Sequence, residues 1–326
     1  EFLGEWLDLK FLARLDSSFC CTTLRPQFLE VLASPFCILQ SCARFIGSNA
    51  GCWYLRRRLK LSNIVTFYPE QQPHLTAFCK QFGDYVHVLK CFYNSQLRIM
   101  APYIHNLTSL MVVECTATSA VGNMLKCNSF LQDVRFERMY VLTGQPLEQF
   151  TRQNVTLLSL SSSVWNGDFA SLFAKSCPHL TQVDLIRCHS LSSVELINFA
   201  EHCPLVKSLG LQHLQFGDDT LAQLTLLCPH IMNLDIRENV NVTDRGIQKL
   251  ASNLKSLRSL NITFCYKLTD QSLVYLAISR ADTLEVLWMM GFLSAHTNLL
   301  CTFLQKCTKL HTICTGLQLS THVEVK

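Results

Sequence analysis

The apolar positions of this chain repeat one figure, apolar-x-x-apolar-x-apolar, as in Leu180/Val183/Leu185, Val206/Leu209/Leu211 and Ile231/Leu234/Ile236. The alternation in its second half predicts a short strand with one face buried. Its opening residue aligns at Leu61, Val86, Leu110, Leu131, Val155, Leu180, Val206, Ile231, Leu257, Leu284 and Leu310, about eleven copies in all. Where the copies are clearest they recur about every 26 residues. A fixed period of that size predicts stacked units, each burying its apolar edge against its neighbours.

Polar punctuation between the strands predicts helices. Thr243 or Asp244 is placed to accept bonds from free helix amides, and Thr269-Asp270 repeats the device. Ser192-Ser193-Val194-Glu195 has the spacing of a capping box. Cys177-Pro178, Cys203-Pro204 and Cys228-Pro229 mark the stops, because proline cannot continue a helix and favours an extended residue before it. Each clear copy therefore reads as strand, turn, helix and Cys-Pro stop.

Residues 1–48 leave this pattern. Leu9, Leu12 and Leu15, with Phe11 beside them, suit one face of a helix. A second helix is predicted from Pro26 to Ala33, ended by Pro35, and a third over the apolar residues 36–52, sealing the end of the stack. The densest basic run, Arg56-Arg57-Arg58 with Lys60, reads as the solvated end of a helix.

The pattern Cys-Pro-x-Leu-x-x-Leu-x-Leu-x-x-Cys is matched from Cys177 to Cys188, and Leu257 to Leu273 match the remainder, with Cys265 in the turn. These residues resemble the cysteine-containing subtype of leucine-rich repeat. The resemblance implies an α/β fold: a leucine-rich-repeat solenoid, a right-handed βα horseshoe like ribonuclease inhibitor, with a short helical N-terminal cap. Residues 49–326 would form the solenoid and 1–48 the cap. Trp6 to Cys20 is also similar to the middle of an F-box, which implies docking to a Skp-family adaptor of a cullin–RING ubiquitin ligase through Phe2, Leu3, Leu7, Leu9 and Leu12. A plain pair of capping helices fits the same stretch.

Composition narrows the function classes. With 49% hydrophobic and 16% charged residues the chain can bury a core, and a net charge of +4 over 326 residues does not point to nucleic acid or a membrane. The 17 cysteines fall largely at repeat positions expected to be buried, where a thiol acts as a small hydrophobe. That points to a reducing compartment, cytoplasm or nucleus. The sequons at Asn106, Asn154, Asn241 and Asn261 then read as repeat turns, although they also suit a secreted effector or receptor.

No phosphate loop, zinc-protease motif, nucleophile elbow or Cys-x-x-Cys pair occurs, so no enzyme activity, cofactor or metal site is expected. Strand alternation instead nominates an extended recognition face for a protein substrate. Its charged positions are Arg135, Asp184, Arg187, Asp235 and Arg237, and its apolar end is Phe264, Trp288, Met290 and Phe292. The expectation is a substrate receptor of a ubiquitin ligase, or a repeat scaffold with no ligase link.

Overall fold

The computed structural model describes residues 14, 24–33, 38–45, 54–66, 72–116, 119–139, 154–163, 169–291 and 297–315. The chain divides into two compact units, Glu1–Val141 with Gln145–Asn154, and Leu142–Gly144 with Val155–Lys326.

In the first unit, helix α1 (Leu24–Ala33) precedes strands β1 (Ile38–Phe45), β2 (Lys60–Thr66), β3 (Val88–Cys91), β4 (Ser109–Val113) and β5 (Asp133–Glu137). Neighbouring strands pair in parallel, in chain order. Parallel pairing needs a long crossover, supplied by α2 (Gln72–Phe82), α3 (Asn94–Met100) and α4 (Ser119–Cys127).

Two expectations are corrected here. Within the segment 36–52, the described residues Ile38–Phe45 form not a helix but β1, which pairs with β2 from Ile38↔Lys60 to Phe45↔Thr66. A short apolar run fits either period, and the open edge of β2 offers unpaired amides that a strand satisfies and a helix does not. The copy opened at Leu110 is three residues out of register. Leu110 pairs with Leu89 and Val134, the second apolar positions of their copies, so the figure runs Leu107/Leu110/Val112. The pattern misled because Val113 and Cys115 are buried too.

In the second unit, strands β6 (Leu157–Ser161), β7 (Gln182–Ile186), β8 (Ser208–Gly210), β9 (Asn233–Asp235), β10 (Ser259–Asn261), β11 (Val286–Trp288) and β12 (Thr312–Cys314) are again parallel neighbours. Their inward row, Leu158–Val183–Leu209–Leu234–Leu260–Leu287–Ile313, is in register and buried. Each such side chain contributes roughly 1.5–3 kcal/mol.

The crossovers hold α5 (Phe169–Ser176), α6 (Ser193–Glu201), α7 (Asp218–Leu227), α8 (Asp244–Asn253), α9 (Asp270–Ser279) and α10 (Thr297–Lys306). The first three end next to the Cys-Pro stops, and the Ser192/Glu195 capping box is formed. At α8 and α9 the two halves of the Thr-Asp device have different tasks. Thr243 and Thr269 cap their own helices. Asp218 instead accepts the Thr243 amide at 2.8 Å and hydroxyl at 2.6 Å, and Asp244 accepts those of Thr269 at 2.9 and 2.7 Å. The acid thus ties one repeat to the next.

The turns after the strands form a second tie. Ser162, Arg187, His213, Glu238 and Phe264 all adopt left-handed backbone, with φ from 51° to 62°. Such a conformation costs a side-chain-bearing residue about 1–2 kcal/mol. It is offset because each freed N–H extends the ladder: Arg187 donates to Gln212 O at 2.9 Å, Glu238 to Thr263 O at 2.9 Å and Phe264 to Met290 O at 2.8 Å. The next residue sends a buried donor back to the preceding repeat. Cys188 Sγ reaches Leu160 O at 3.3 Å, Cys265 Sγ reaches Ile236 O at 3.2 Å, and Asn239 Nδ2 reaches Leu211 O at 2.7 Å.

The cysteines from Cys79 to Cys314 in the described residues are free thiols, mostly buried. Burial pushes Cys79 and Cys115 up to about 12, and Cys91, Cys228, Cys265 and Cys307 up to about 11, because a thiolate loses its hydration there.

Candidate functional site: the open sheet face of the second unit

Opposite the inward row, each strand of the second unit turns its alternate residues to solvent. In register these run Ser159–Asp184–Gly210–Asp235–Asn261–Trp288–Cys314. Gly210 leaves a gap between two acids, and the Asp184 carboxylate leans into it, so a Cβ there would stand 2.6 Å from Asp184 Oδ1. The result is a groove of about 390 Å³ with Gly210 in its floor, Asp184, Asp235 and Arg237 along it and Trp288 at the far side.

Asp235 is the hub of a polar network. Its Oδ2 accepts from Gln212 Nε2 at 2.9 Å and Asn261 Nδ2 at 3.2 Å, and lies 3.4 Å from Arg237 Nε. Arg237 donates a further 2.6 Å bond to Gln212 Oε1, and its backbone N–H donates to Asp235 Oδ1 at 3.1 Å. Burial raises the Asp235 carboxyl above the ordinary range, and the nearby Asp184 charge adds to the rise. The Arg237 amide and guanidinium and the Asn261 amide oppose it. Locked side chains of this kind present fixed donors and acceptors to a partner without a further ordering cost.

The apolar end is exposed. Phe264, Trp288 and Met290 each retain 37% of their accessible surface, too much for core residues in a shifted register. Tyr266 joins them, its ring centroid 6.1 Å from that of Phe264. Gly291 takes the left-handed turn position at φ 76°, and the Phe264 ring fills the space a side chain there would need. The absent Cβ is what lets Phe264 lie along the row towards the next repeat.

Of the sequence-nominated positions, Asp184, Asp235, Arg237 and Trp288 line the one groove. Phe264 and Met290 sit in the turn and strand-end positions next to it. Arg187 is the left-handed residue after β7, with φ 54°. Arg135 belongs to the first unit and is held by Asp133 of its own strand at 2.9 Å. Phe292 and the five adaptor-facing candidates, Phe2, Leu3, Leu7, Leu9 and Leu12, lie outside the described residues. Thr263, which continues the outward alternation of Asn261, is nonetheless buried at 7% exposure.

Gln212 was missed, although it follows Gly210 by two and the same alternation places it on the face. Ranking by charge and aromaticity passed over a neutral amide. Among the described residues there is no group of three or more metal-ligating side chains, and no helix is long and apolar enough to cross a membrane.

A parallel strand–helix repeat with an inward Leu row, Cys or Asn turn ties and an open sheet face defines a leucine-rich-repeat solenoid. The chain is similar to a protein of the crystal structure of the Rad7 and Elc1 complex in yeast, with a TM-score of 0.52 over 97% of this chain and 93% of that one, at 14% identity. No family model matches the chain. In sequence it is similar to F-box/LRR-repeat proteins. It is 33% identical to F-box/LRR-repeat protein 4 of Bos taurus over 106 residues, 31% of this chain and 17% of that protein. It is 34% identical to F-box protein SKIP1 of Arabidopsis thaliana over 58 residues, 18% of this chain and 19% of that protein. The chain thus spans less than a fifth of the length of these two curated relatives.

Proposed function

We propose that this chain is a non-enzymatic recognition subunit that holds a protein substrate on the open face of its second unit while a cullin–RING ubiquitin ligase, joined through a Skp-family adaptor, supplies the chemistry. Proximity and orientation would be its whole contribution. The observation that carries the recognition half is the groove over Gly210, with its Asp235-centred network and the exposed Trp288 beside it. A half-buried arginine held beside an exposed tryptophan suits an interface hot spot, since Trp and Arg are enriched there. The ligase half is supported by the F-box/LRR-repeat relatives and by the F-box-like residues from Trp6 to Cys20.

The test is capture of the chain by a purified Skp-family adaptor, comparing residues 1–326 with a version lacking residues 1–20. Retention of the first and loss of the second is the expected result. Equal capture of both would take adaptor binding away from residues 1–20, and capture of neither would remove the adaptor role and leave a repeat scaffold.

A further inference from the structure

We propose that the edge where the chain enters strands β8 to β12 is a second docking groove, separate from the sheet face, for an acidic peptide segment of a partner protein. This groove, about 310 Å³, is lined by Lys207, Lys255, Arg258, Lys309 and His230, against the single acid Glu285. Glu285 is engaged by Arg258 at 3.5 Å. The side chains of Lys207, Lys255 and Lys309 are exposed and have no ion-pair or hydrogen-bond partner among the described residues. Three uncompensated cations therefore surround one cavity.

Helix ends explain only part of this. A cation within the last turn of a helix complements its dipole, which suits Lys255 and Lys309, just beyond Asn253 and Lys306. Lys207 lies well past Glu201, the end of α6, and Arg258 adjoins β10, so neither is placed by a helix end. Their backbones are fixed instead by the sheet. Lys207 O accepts from Met232 and Asn233 at 2.8 and 3.0 Å, Arg258 O accepts from Glu285 and Val286 at 2.7 and 2.9 Å, and Glu285 O accepts from His311 and Thr312. The charges thus stand on a rigid row.

Five strand ends at the usual parallel spacing span roughly 19 Å, the length of about six extended residues. A short stretch of carboxylates or phosphates matches that row in sign and in length. The other edge of this sheet carries Glu195, Asp218, Asp219, Asp244 and Asp270 at the helix starts, so an acidic ligand is steered to one edge and repelled from the other. A nucleic acid fits less well, because no Phe, Tyr or Trp lines the groove, and the His230 imidazole is the one ring there that could stack on a base.

The experiment is fluorescence anisotropy on the full chain with a labelled hexaglutamate peptide, a phosphoserine-containing peptide of equal length and a dodecathymidylate. The triple variant Lys207→Glu/Lys255→Glu/Lys309→Glu, which changes only exposed side chains, and Trp288→Ala are compared with the parent after thermal melting confirms folding. The parent should bind the acidic peptides in a salt-sensitive manner. The triple variant should lose roughly tenfold in affinity, two- to threefold for each exposed pair. Trp288→Ala should bind like the parent, which separates this surface from the sheet-face reading. Tighter binding of the phosphopeptide would assign phosphate as the ligand group, and equal binding carboxylate. Unchanged affinity in the triple variant, no binding of either peptide, or preferential binding of the oligonucleotide would overturn the proposal.

Discussion

Replacing Asn239 tests the claim that side-chain ties between repeats, rather than the leucine row alone, set the stability of the second unit. Asn239 has no exposed surface. Its Nδ2 donates to Leu211 O at 2.7 Å, Ile236 O at 2.8 Å and Arg237 O at 3.3 Å, and its Oδ1 accepts the Leu214 amide at 3.0 Å. Asn239→Ala strands the Leu214 N–H and at least one buried carbonyl, at about 1–3 kcal/mol each, less the desolvation the missing amide no longer suffers. The net loss expected is about 3 kcal/mol. Asn239→Cys keeps one donor, as Cys265 does in the next repeat, and should lose about half as much. Urea melts give the totals, and hydrogen exchange at the Leu214 amide reports the site, since solenoids need not unfold in one step. A loss below about 1 kcal/mol for alanine, or a cysteine variant no better than alanine, would refute the reasoning.

Three further outcomes are expected. Gly246→Ala should destabilise by about 1–2 kcal/mol although alanine gains about 1 kcal/mol in helix propensity, because the new methyl would overlap the Asp218 carboxylate that holds Thr243; a raised melting temperature would show that the tie is dispensable. In native alkylation read by mass spectrometry at pH 8, Cys127 and Cys301, which are exposed, should react well before Cys79, Cys91, Cys115, Cys228, Cys265 and Cys307. The buried thiols ionise first in the unfolded chain, near 9.0, and only near 11 or above in the folded one, so stability should fall as pH rises from 9.0 towards 11; a flat urea midpoint across that window would contradict it. Trp288→Ala should cost less than about 1 kcal/mol of stability, since the residue is exposed, whereas a buried tryptophan loses about 3–5 kcal/mol; a large drop in the melting temperature would remove Trp288 from the binding face.

Much of the second unit was legible before folding was considered. The alternation Val183/Leu185, the Cys-Pro stops and the Ser192/Glu195 spacing are local signals, and local hydrogen bonding and burial enforce them wherever they occur. The first unit was less legible, because Leu110, Val113 and Cys115 satisfy the apolar figure in a frame the strands do not use. Only pairing with Leu89 and Val134 selects the other frame, since a slip along a strand moves side chains to the wrong face. For the same reason β1 was read as helix: its partner is the edge of β2, which pattern alone does not display.

For the second unit, the amino-acid sequence by itself determined the repeat, its strand–helix content and most of the residues that face outward, because each depends on neighbours within one repeat. Tertiary structure decided what those residues become together. Asp184 and Asp235 border one groove only because Gly210 stands between them in register. Asp244 serves the next helix rather than its own, and Phe264 lies over Gly291. Lysines about fifty residues apart in the chain meet at one edge. These are contacts between repeats, set by stacking register and left-handed turns, and no local pattern encodes which side chain of one copy will meet which of the next.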